Sequence, residues 1–414
     1  MDTLATIRGR LNSFLSEARR IHQSEFPYEH GRAAVAAIIS RFEQHDADLQ
    51  RLTQQHDRTV VDQLAAVILA EIVRYLPLLG FLLRSTNTRN AFELHGPLQR
   101  LARLLLGEQT RLVLSSEWSY SPLAYTQIPH LPGFVLIGLP APESANPMLF
   151  PLAGHELGHP VWRARGLAAQ VAPRLQAEVT RALSEPNHRA SVNVLHSQVA
   201  ADLVAQKRTI ETIGITKPIL ELAAAQCEER FCDFMGVRMF GASYLHAFAY
   251  LLAPNIGGRR PLKYDNFGIR GRQLVRAASF FGVAHDAAYA DRFVDVSAKD
   301  YSQAEQFQVA IADEVSSPET DALLIFVRDI CAAADVPLLL PEQQEANLER
   351  LRRLVPTGTV GSLGDVLCAG WSASVDPDLW HGLKQIPDRD AVLKELLLKS
   401  CEVLDLEQIG REGR

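Results

Sequence analysis

The chain has 414 residues, of which 47% are hydrophobic and 22% are charged, and its formal net charge is −6. This composition is typical of a globular protein with room for two or three domains. The acidic balance argues against a nucleic-acid partner, and the residues after Met1 lack the apolar stretch of a secretory signal. The five cysteines are odd in number and lack C-x-x-C spacing, which disfavours a disulfide framework or a cysteine zinc site. We therefore expect a cytoplasmic protein.

Residues 1 to about 108 predict helices throughout, and Gly107 is a plausible stop for the last of them. The first helix shows apolar residues with a helical period: Leu4, Ile7, Leu11 and Leu15. The most apolar stretch, residues 60–83, is interrupted by three charged residues and a proline: Asp62, Glu71, Arg74 and Pro77. Because these residues break a membrane span, we predict a pair of buried amphipathic helices and no membrane partner.

Strand signals follow the N-terminal helices. Residues 133–139 are apolar and lie between two prolines, residues 111–114 form a second candidate strand, and residues 120–128 form a third. An extended peptide can add to an exposed edge strand through backbone hydrogen bonds. Residues 134–139 therefore have two interpretations, an edge strand that receives substrate or a central strand beneath a site.

The sequence His155-Glu156-Leu157-Gly158-His159 is an H-E-x-x-H motif. Two histidines at i and i+4 lie on one face of a helix, close enough for both imidazoles to reach one ion. Zn²⁺ lowers the pKa of a bound water towards ~7, and the intervening Glu156 can take the proton of that water. Gly158 would let another backbone approach this helix closely.

The bounds of the motif helix carry conflicting signals. Asn146-Pro147 is a good N-cap and N1 pair, but Pro151 then falls awkwardly in the first turns. A start at Pro151 instead leaves a poor cap before it. Pro160 cannot donate to the carbonyl four residues earlier, so we expect a kink or the helix end just past the motif.

Two histidines do not complete a catalytic zinc site, which needs a third protein ligand and a water. Trp162 and Arg165 replace the Gly and the third His of the metzincin extension, H-E-x-x-H-x-x-G-x-x-H, so that class is rejected. A downstream histidine is a second source, although none has supporting spacing: His188, His196 and His246. The third source is an acid on a later helix.

Residues 220–236 predict a long helix because they are rich in strong helix formers. Glu229 and Asp233 lie one turn apart and hence on one face. Buried carboxylates are costly unless they are paired or bind a metal. Both carboxylates have a partner if Glu229 is the metal ligand and Asp233 accepts the Nδ1 proton of a ligating histidine. Glu228 is the alternative ligand, but no acid follows it four residues later.

The order of the two motifs in this chain resembles that of the gluzincin-type zinc metallopeptidases, in which H-E-x-x-H is followed later by E-x-x-x-D. The matching positions are His155, Glu156, His159, Glu229 and Asp233. The resemblance covers residues 110–280 and implies a zincin-like core with one Zn²⁺ ion held by His155, His159 and Glu229. It also implies that Glu156 is the general base and that Asp233 contacts His155. The Gly-x-Met-Glu-Asn type segment of the clan's aminopeptidases is missing, which favours an endopeptidase.

Peptide hydrolysis also needs a hydrogen-bond donor for the developing oxyanion. The candidates lie downstream of the second helix: Tyr244, His246, Tyr250, Tyr264, Arg270 and Arg272. Several gluzincin-like peptidases carry an Arg that faces the cleft from a loop in this region. Residues 259–270 predict such a loop, although it contains no His, and we choose Arg270 first and Tyr264 second.

The predicted fold class is mainly α (α+β), with a small β-sheet in a zincin-like core. The core spans residues 109–290, between an N-terminal helical region at 1–108 and a C-terminal helical region at 291–414. Further helices are predicted at residues 175–183, 193–210, 317–330 and 343–354. The helical flanks suit a homo-oligomer interface or a regulatory partner.

The leading hypothesis is a cytoplasmic zinc endopeptidase that acts on a protein or peptide substrate. Glu156 takes the proton of the attacking water and passes it to the leaving amine. The alternative is a non-catalytic, zinc-bound sensor or protein-interaction module on a zincin-like scaffold. The intact Glu156 argues against it, because structural zinc needs no general base. A helical protein with a chance motif is the third hypothesis.

Overall fold

A computed structural model describes residues 3–54, 58–86, 92–118, 122–125, 131–188, 191, 215–253, 259–359, 361–376 and 388–412. Over these residues the chain is mainly helical and contains a three-stranded sheet. The predicted fold class, mainly α with a small sheet, is confirmed at this level. The chain divides into two compact units: residues 1–147 with 405–414 form unit 1, and residues 148–404 form unit 2.

Four long helices build most of unit 1: α1 (Thr3–His22), α2 (Glu29–Gln54), α3 (Arg58–Arg84) and α4 (Phe92–Leu106). The described residues up to Leu106 are thus mostly helical, as predicted. The last helix ends where expected, because Gly107 follows it with a φ of 104°, which favours glycine. Apolar side chains of the first three helices share one core: Leu11, Phe42, Ile68 and Phe81 are among them.

Residues 60–83 lie within the single helix α3, so the predicted pair of helices is wrong. Pro77 interrupts the hydrogen bonding on the solvent side of the helix. The carbonyl left without a donor belongs to Val73, which is 62% exposed, and water can replace the missing bond. By length and composition alone, residues 59–84 qualify as a membrane span, and 39% of their most apolar window is buried.

The sheet of unit 1 places its third strand in the middle. β1 (Arg111–Glu117) pairs in parallel with β3 (Phe134–Pro140), and β2 (Leu123–Tyr125) pairs antiparallel with the other side of β3. The edge interpretation of residues 134–139 is therefore wrong, because both sides of this strand already have a partner. Most of the third predicted strand, beyond β2, lies outside the described residues.

Unit 2 is built from helices, joined in part by short 3₁₀ turns. They are α5 (Ala153–Ala164), α6 (Leu167–Ser184), α7 (Thr216–Leu252), α8 (Phe267–Phe280), α9 (Gln303–Ser316), α10 (Thr320–Ala333), α11 (Pro341–Arg352), α12 (Leu363–Val375) and α13 (Arg389–Glu412), whose last residues belong to unit 1. The helices predicted near residues 175, 220, 320 and 343 are all present. The one predicted at 193–210 lies outside the described residues.

The bounds of the motif helix α5 account for the prolines on both sides of the motif. A 3₁₀ helix, Pro147–Leu152, precedes it and takes up Pro151, so the α-helix begins only at Ala153. Contrary to expectation, α5 continues past Pro160 for another turn and ends at Ala164. Pro160 removes one hydrogen bond from the helix without ending it.

The two units differ from the predicted division into three regions. The strands belong with the N-terminal helices, and the break falls at Pro147–Met148, within the 3₁₀ helix that precedes the motif helix. The predicted core, which began at residue 109, joined the strands to the motif helix because zincins usually combine the two. The packing instead assigns the strands to the apolar core of unit 1, through side chains such as Val113 and Leu136.

Candidate metal centre

Helix α5 packs against α7 through two of its glycines. A Cβ on Gly154 would lie 3.1 Å from the Cα of Gly236, and a Cβ on Gly158 would lie 2.7 Å from the Cα of Cys232. These spaces are too small for a side chain, so the two helices meet backbone to backbone. The predicted close approach at Gly158 is confirmed. Because the two glycines lie one turn apart, they also set which residues of α7 face the motif histidines.

His155 makes two contacts with acids of α7. Its Nδ1 lies 2.8 Å from Oδ1 of Asp233, and its Nε2 lies 3.2 Å from Oε2 of Glu229. The predicted contact between Asp233 and His155 is confirmed. An ionised Asp233 can only accept, so Nδ1 carries the proton and donates it. Nε2 then faces a carboxylate oxygen, and this contact requires a positive charge between the two atoms, which either a proton on Nε2 or a metal ion supplies.

His159 is held in the same way by a different acid. Its Nδ1 lies 2.9 Å from Oε1 of Glu228, which also lies 3.5 Å from the guanidinium of Arg163. Its Nε2 faces Glu229, at 4.0 Å from Oε1. Each motif histidine therefore has a carboxylate on Nδ1 and shares Glu229 on the Nε2 side. Glu228 occupies the outer position, which favours Glu229 as the acid that faces an ion.

Glu229 has a feature that suits a metal ligand. Its Oε2 atom is buried and has no hydrogen-bond partner among the described residues, which is costly for a carboxylate oxygen. Donor atoms around a tetrahedral zinc lie roughly 3.3 Å apart. The separation of 3.2 Å between His155 and Glu229 matches this value, and that of 4.0 Å between His159 and Glu229 is slightly longer. The three side chains therefore fit the donor set of a zinc ion.

The electrostatics of these residues also favour a cation. Burial would lower the pKa of His155, but its contacts with Asp233 and Glu229 raise it to about 10. Burial would likewise raise the pKa of Glu229, yet His155, His159 and Arg270 bring it below its ordinary value. The cluster thus stabilises positive charge next to Glu229. Oxygen and imidazole donors are those that zinc takes in catalytic sites.

Asp233 is the centre of a buried hydrogen-bond network. Arg270 donates to both carboxylate oxygens, from Nε at 2.5 Å and from Nη2 at 2.8 Å, and the hydroxyl of Tyr244 donates at 2.7 Å. Burial would raise the pKa of Asp233, but Arg270 and His155 hold it well below its usual range. Asp233 therefore stays ionised while it orients the imidazole of His155.

The contacts of Arg270 differ from its predicted role as oxyanion donor. Its guanidinium forms a bidentate pair with Asp233 and lies against the rings of Phe248 and Tyr264, at 4.7 and 4.9 Å from their centroids. These contacts favour Arg270 as a residue that positions Asp233. We predicted an Arg in a loop, whereas Arg270 lies in the first turn of α8.

A break in α7 brings Tyr244 to this network. Gly241 has φ 56° and ψ −134°, a conformation that requires glycine, and the helix changes direction there. The ring of Tyr244 then lies against Gly236, where a Cβ would be 2.3 Å from the ring. The kink thus turns the chain back so that Tyr244 reaches Asp233, a contact that helix periodicity does not predict.

Glu156 is placed differently from the other acids. It is 6% exposed and, among the described residues, has no hydrogen bond or salt bridge. Burial raises its pKa above the ordinary value, although His155 and His159 act in the opposite direction. A carboxylate with a raised pKa and open hydrogen-bonding capacity has the properties of a general base.

Tyr264 is the second predicted oxyanion donor, and it lies near the acids of the centre. Burial raises its pKa, and the charges of Glu229, Glu156 and Asp233 raise it further, so the phenol stays protonated. It has no hydrogen bond among the described residues. Tyr264 therefore remains available as a donor.

The remaining sequence candidates lie in other surroundings. His188 groups with Glu185 and Glu314 in a partly exposed cluster, and the ring of His246 stacks on Trp371. Arg272 is exposed and faces Asp295 at 4.0 Å, Tyr250 is half exposed, and His196 lies outside the described residues.

Comparisons with known protein families, curated proteins and solved structures give no match to this chain.

Proposed function

We propose that this protein is a zinc-dependent peptidase with a gluzincin-like centre, and that it acts as an endopeptidase on a protein or peptide. The observation that carries the proposal is the convergence of His155, His159 and Glu229, with a buried Glu229 oxygen that accepts no hydrogen bond among the described residues. A cation at this point would satisfy that oxygen and both Nε2 lone pairs. The zincin-like architecture and the compartment, the cytosol, are part of the same proposal.

The chemistry follows from the residues around that point. When bound by His155, His159 and Glu229, zinc supplies a Lewis acid that polarises a water molecule and a carbonyl oxygen. Glu156 has no competing partner, and it accepts the proton of the attacking water and delivers it to the leaving amine nitrogen. Its raised pKa favours this exchange, because a carboxylate with a raised pKa is a stronger base.

Other side chains hold these groups in place. Asp233 and Glu228 fix the Nδ1 protons of the two histidines, so that both Nε2 lone pairs point to the same side. Arg270 and Tyr244 in turn fix Asp233. The phenol of Tyr264 donates to the oxyanion that forms when water attacks the scissile carbonyl.

Metal analysis of the purified protein is the first test. We expect one zinc per chain, and a protein that binds no zinc stoichiometrically would overturn the proposal. The second test compares peptides cleaved in a proteome-derived library by wild type and by Glu156→Gln. We expect internal cleavages that Glu156→Gln loses while it keeps its zinc.

The exposed Glu221 on α7 provides a matched control, because Glu221→Gln removes the same charge away from the centre. This variant should cleave like the wild type. If Glu156→Gln and wild type give the same peptide profile while both bind zinc, the alternative of a non-catalytic zinc-bound interaction module is the correct one.

A further inference from the structure

Cys232 lies on α7 between Glu229 and Asp233, next to the proposed metal site. Its thiol sulfur and one ring nitrogen each of His155 and His159 all lie within 4.8 Å of one another. The side chain is fully buried, is not in a disulfide and has no hydrogen bond among the described residues. A buried sulfur without a partner is thus directed towards the same histidines as Glu229.

The packing of the two helices explains why the sulfur is so close. A Cβ on Gly158 would lie 2.9 Å from the sulfur of Cys232, so only glycine leaves room for it. Gly158 directly precedes His159 and follows His155 by one turn. The sulfur therefore lies against the part of α5 that carries both imidazoles.

We propose that Cys232 is a fourth protein donor of this metal centre and closes it in a resting form. The inference rests on the proposed function, since it concerns the same ion. Zinc sites with four protein ligands are closed, whereas catalytic sites keep one position for water. In the resting form the metal–sulfur bond takes that position, and the thiol proton passes to solvent. In the hydrolytic form a water molecule would replace the sulfur, and the released thiolate would take up a proton again.

Chemistry and geometry both support a sulfur donor here. Thiolate is a soft ligand that zinc accepts alongside imidazole and carboxylate. The buried Oε2 of Glu229, which accepts no hydrogen bond among the described residues, independently favours a cation at this point. Cys227 serves as a contrast: it is equally buried on α7, but it lies among Arg230, Glu319 and Asp265 rather than at the histidines.

X-ray absorption at the zinc edge of the wild-type protein provides the direct test. We expect one sulfur at roughly 2.3 Å in addition to nitrogen and oxygen neighbours at roughly 2.0–2.2 Å. The cobalt-substituted protein should show a sulfur-to-cobalt charge-transfer band in the near ultraviolet. This experiment uses the unaltered chain, so it does not depend on how a variant folds.

Two variants complete the test. Cys232→Ala should lose the charge-transfer band and bind Cd²⁺ at least about tenfold more weakly, because cadmium prefers sulfur. Cys227→Ala should keep both properties. A zinc-bound wild type with no sulfur neighbour would overturn the inference and leave the proposed function standing. A wild type that binds no zinc or cobalt would overturn both.

Discussion

Glu228 lies 2.9 Å from the Nδ1 atom of His159, and it orients this imidazole as Asp233 orients that of His155. Both imidazoles are thus oriented by acids of a single helix. A hydrogen bond on Nδ1 fixes the tautomer and makes Nε2 a better donor. The adjacent residue, Glu229, remains between the two Nε2 atoms. The spacing of three acids on α7 therefore defines both the proposed ligand and its supports.

We expect Glu229→Ala and Glu228→Ala to weaken zinc binding to different extents. Glu229→Ala removes a ligand and should abolish stoichiometric binding at micromolar zinc. Glu228→Ala removes only the support of His159, and loss of such a partner typically costs about 10–100-fold in affinity. Competition with a chromogenic chelator measures both values. The reverse order would show that Glu228 is the ligand.

Substitutions of Arg270 and Tyr264 should separate positioning from catalysis. Arg270→Gln breaks the bidentate pair with Asp233 and should weaken zinc binding along with turnover. Tyr264→Phe should leave zinc affinity unchanged and lower kcat by about 10²-fold, the usual effect of losing one oxyanion donor. Equilibrium zinc titration and steady-state kinetics on one cleaved peptide provide the measurements. An Arg270→Gln variant with normal zinc affinity and low kcat would restore the original oxyanion assignment.

Gly158→Ala should separate the two helices of the centre. The added Cβ would meet the backbone of Cys232 at 2.7 Å, where no flexible side chain can yield. We expect a loss of about 1–3 kcal/mol in the free energy of unfolding of unit 2, together with weaker zinc binding. Gly9→Ala is the control, since nothing lies within 4 Å of a Cβ there and helix propensity should improve. Urea unfolding checks both, and a neutral Gly158→Ala would contradict the packing.

Unit 1 should lose stability in mild acid because of His95. Burial lowers its pKa to about 4, although its hydrogen bond to the carbonyl of Leu112 acts in the other direction. The unfolded chain, with a histidine pKa near 6.5, takes up the proton first. The stabilising effect is therefore complete above about pH 6.5 and is lost as the pH falls towards 4.

Hydrogen–deuterium exchange of peptides covering α4 and β1 measures this effect, after correction for the intrinsic exchange rate. Protection should fall between about pH 7 and about pH 5 in the wild type. His95→Gln keeps a donor for the carbonyl of Leu112 but does not titrate, so its protection should depend less on pH. An equal pH dependence in both proteins would contradict the assignment.

Local rules predicted the elements of the centre well. Helix periodicity and residue composition located α5 and α7, and the i, i+4 rule placed Glu229 and Asp233 on one face. Chemistry predicted that Asp233 contacts a ligating histidine, because a buried acid needs a donor, and the resemblance to gluzincins implied that this histidine is His155. These features depend on neighbours within a turn or two of helix, so the sequence carries them directly.

Features that depend on how elements meet were not predicted. The role of Glu228 depends on the crossing of α5 and α7, since only that crossing directs its carboxylate to His159. Arg270 was expected in a cleft, but its Nε and Nη2 both donate to Asp233. The central place of β3 depends on pairing with strands on both sides, which its own apolar run does not specify.

The short span from Glu228 to Asp233 also has a consequence for how the sequence can change. One residue inserted inside it would rotate everything downstream by about 100° about the helix axis. With the insertion after Glu229, Asp233 would leave His155 while Glu228 and Glu229 kept their places opposite the motif histidines. The geometry of the helix therefore does not tolerate an insertion or a deletion within these six positions.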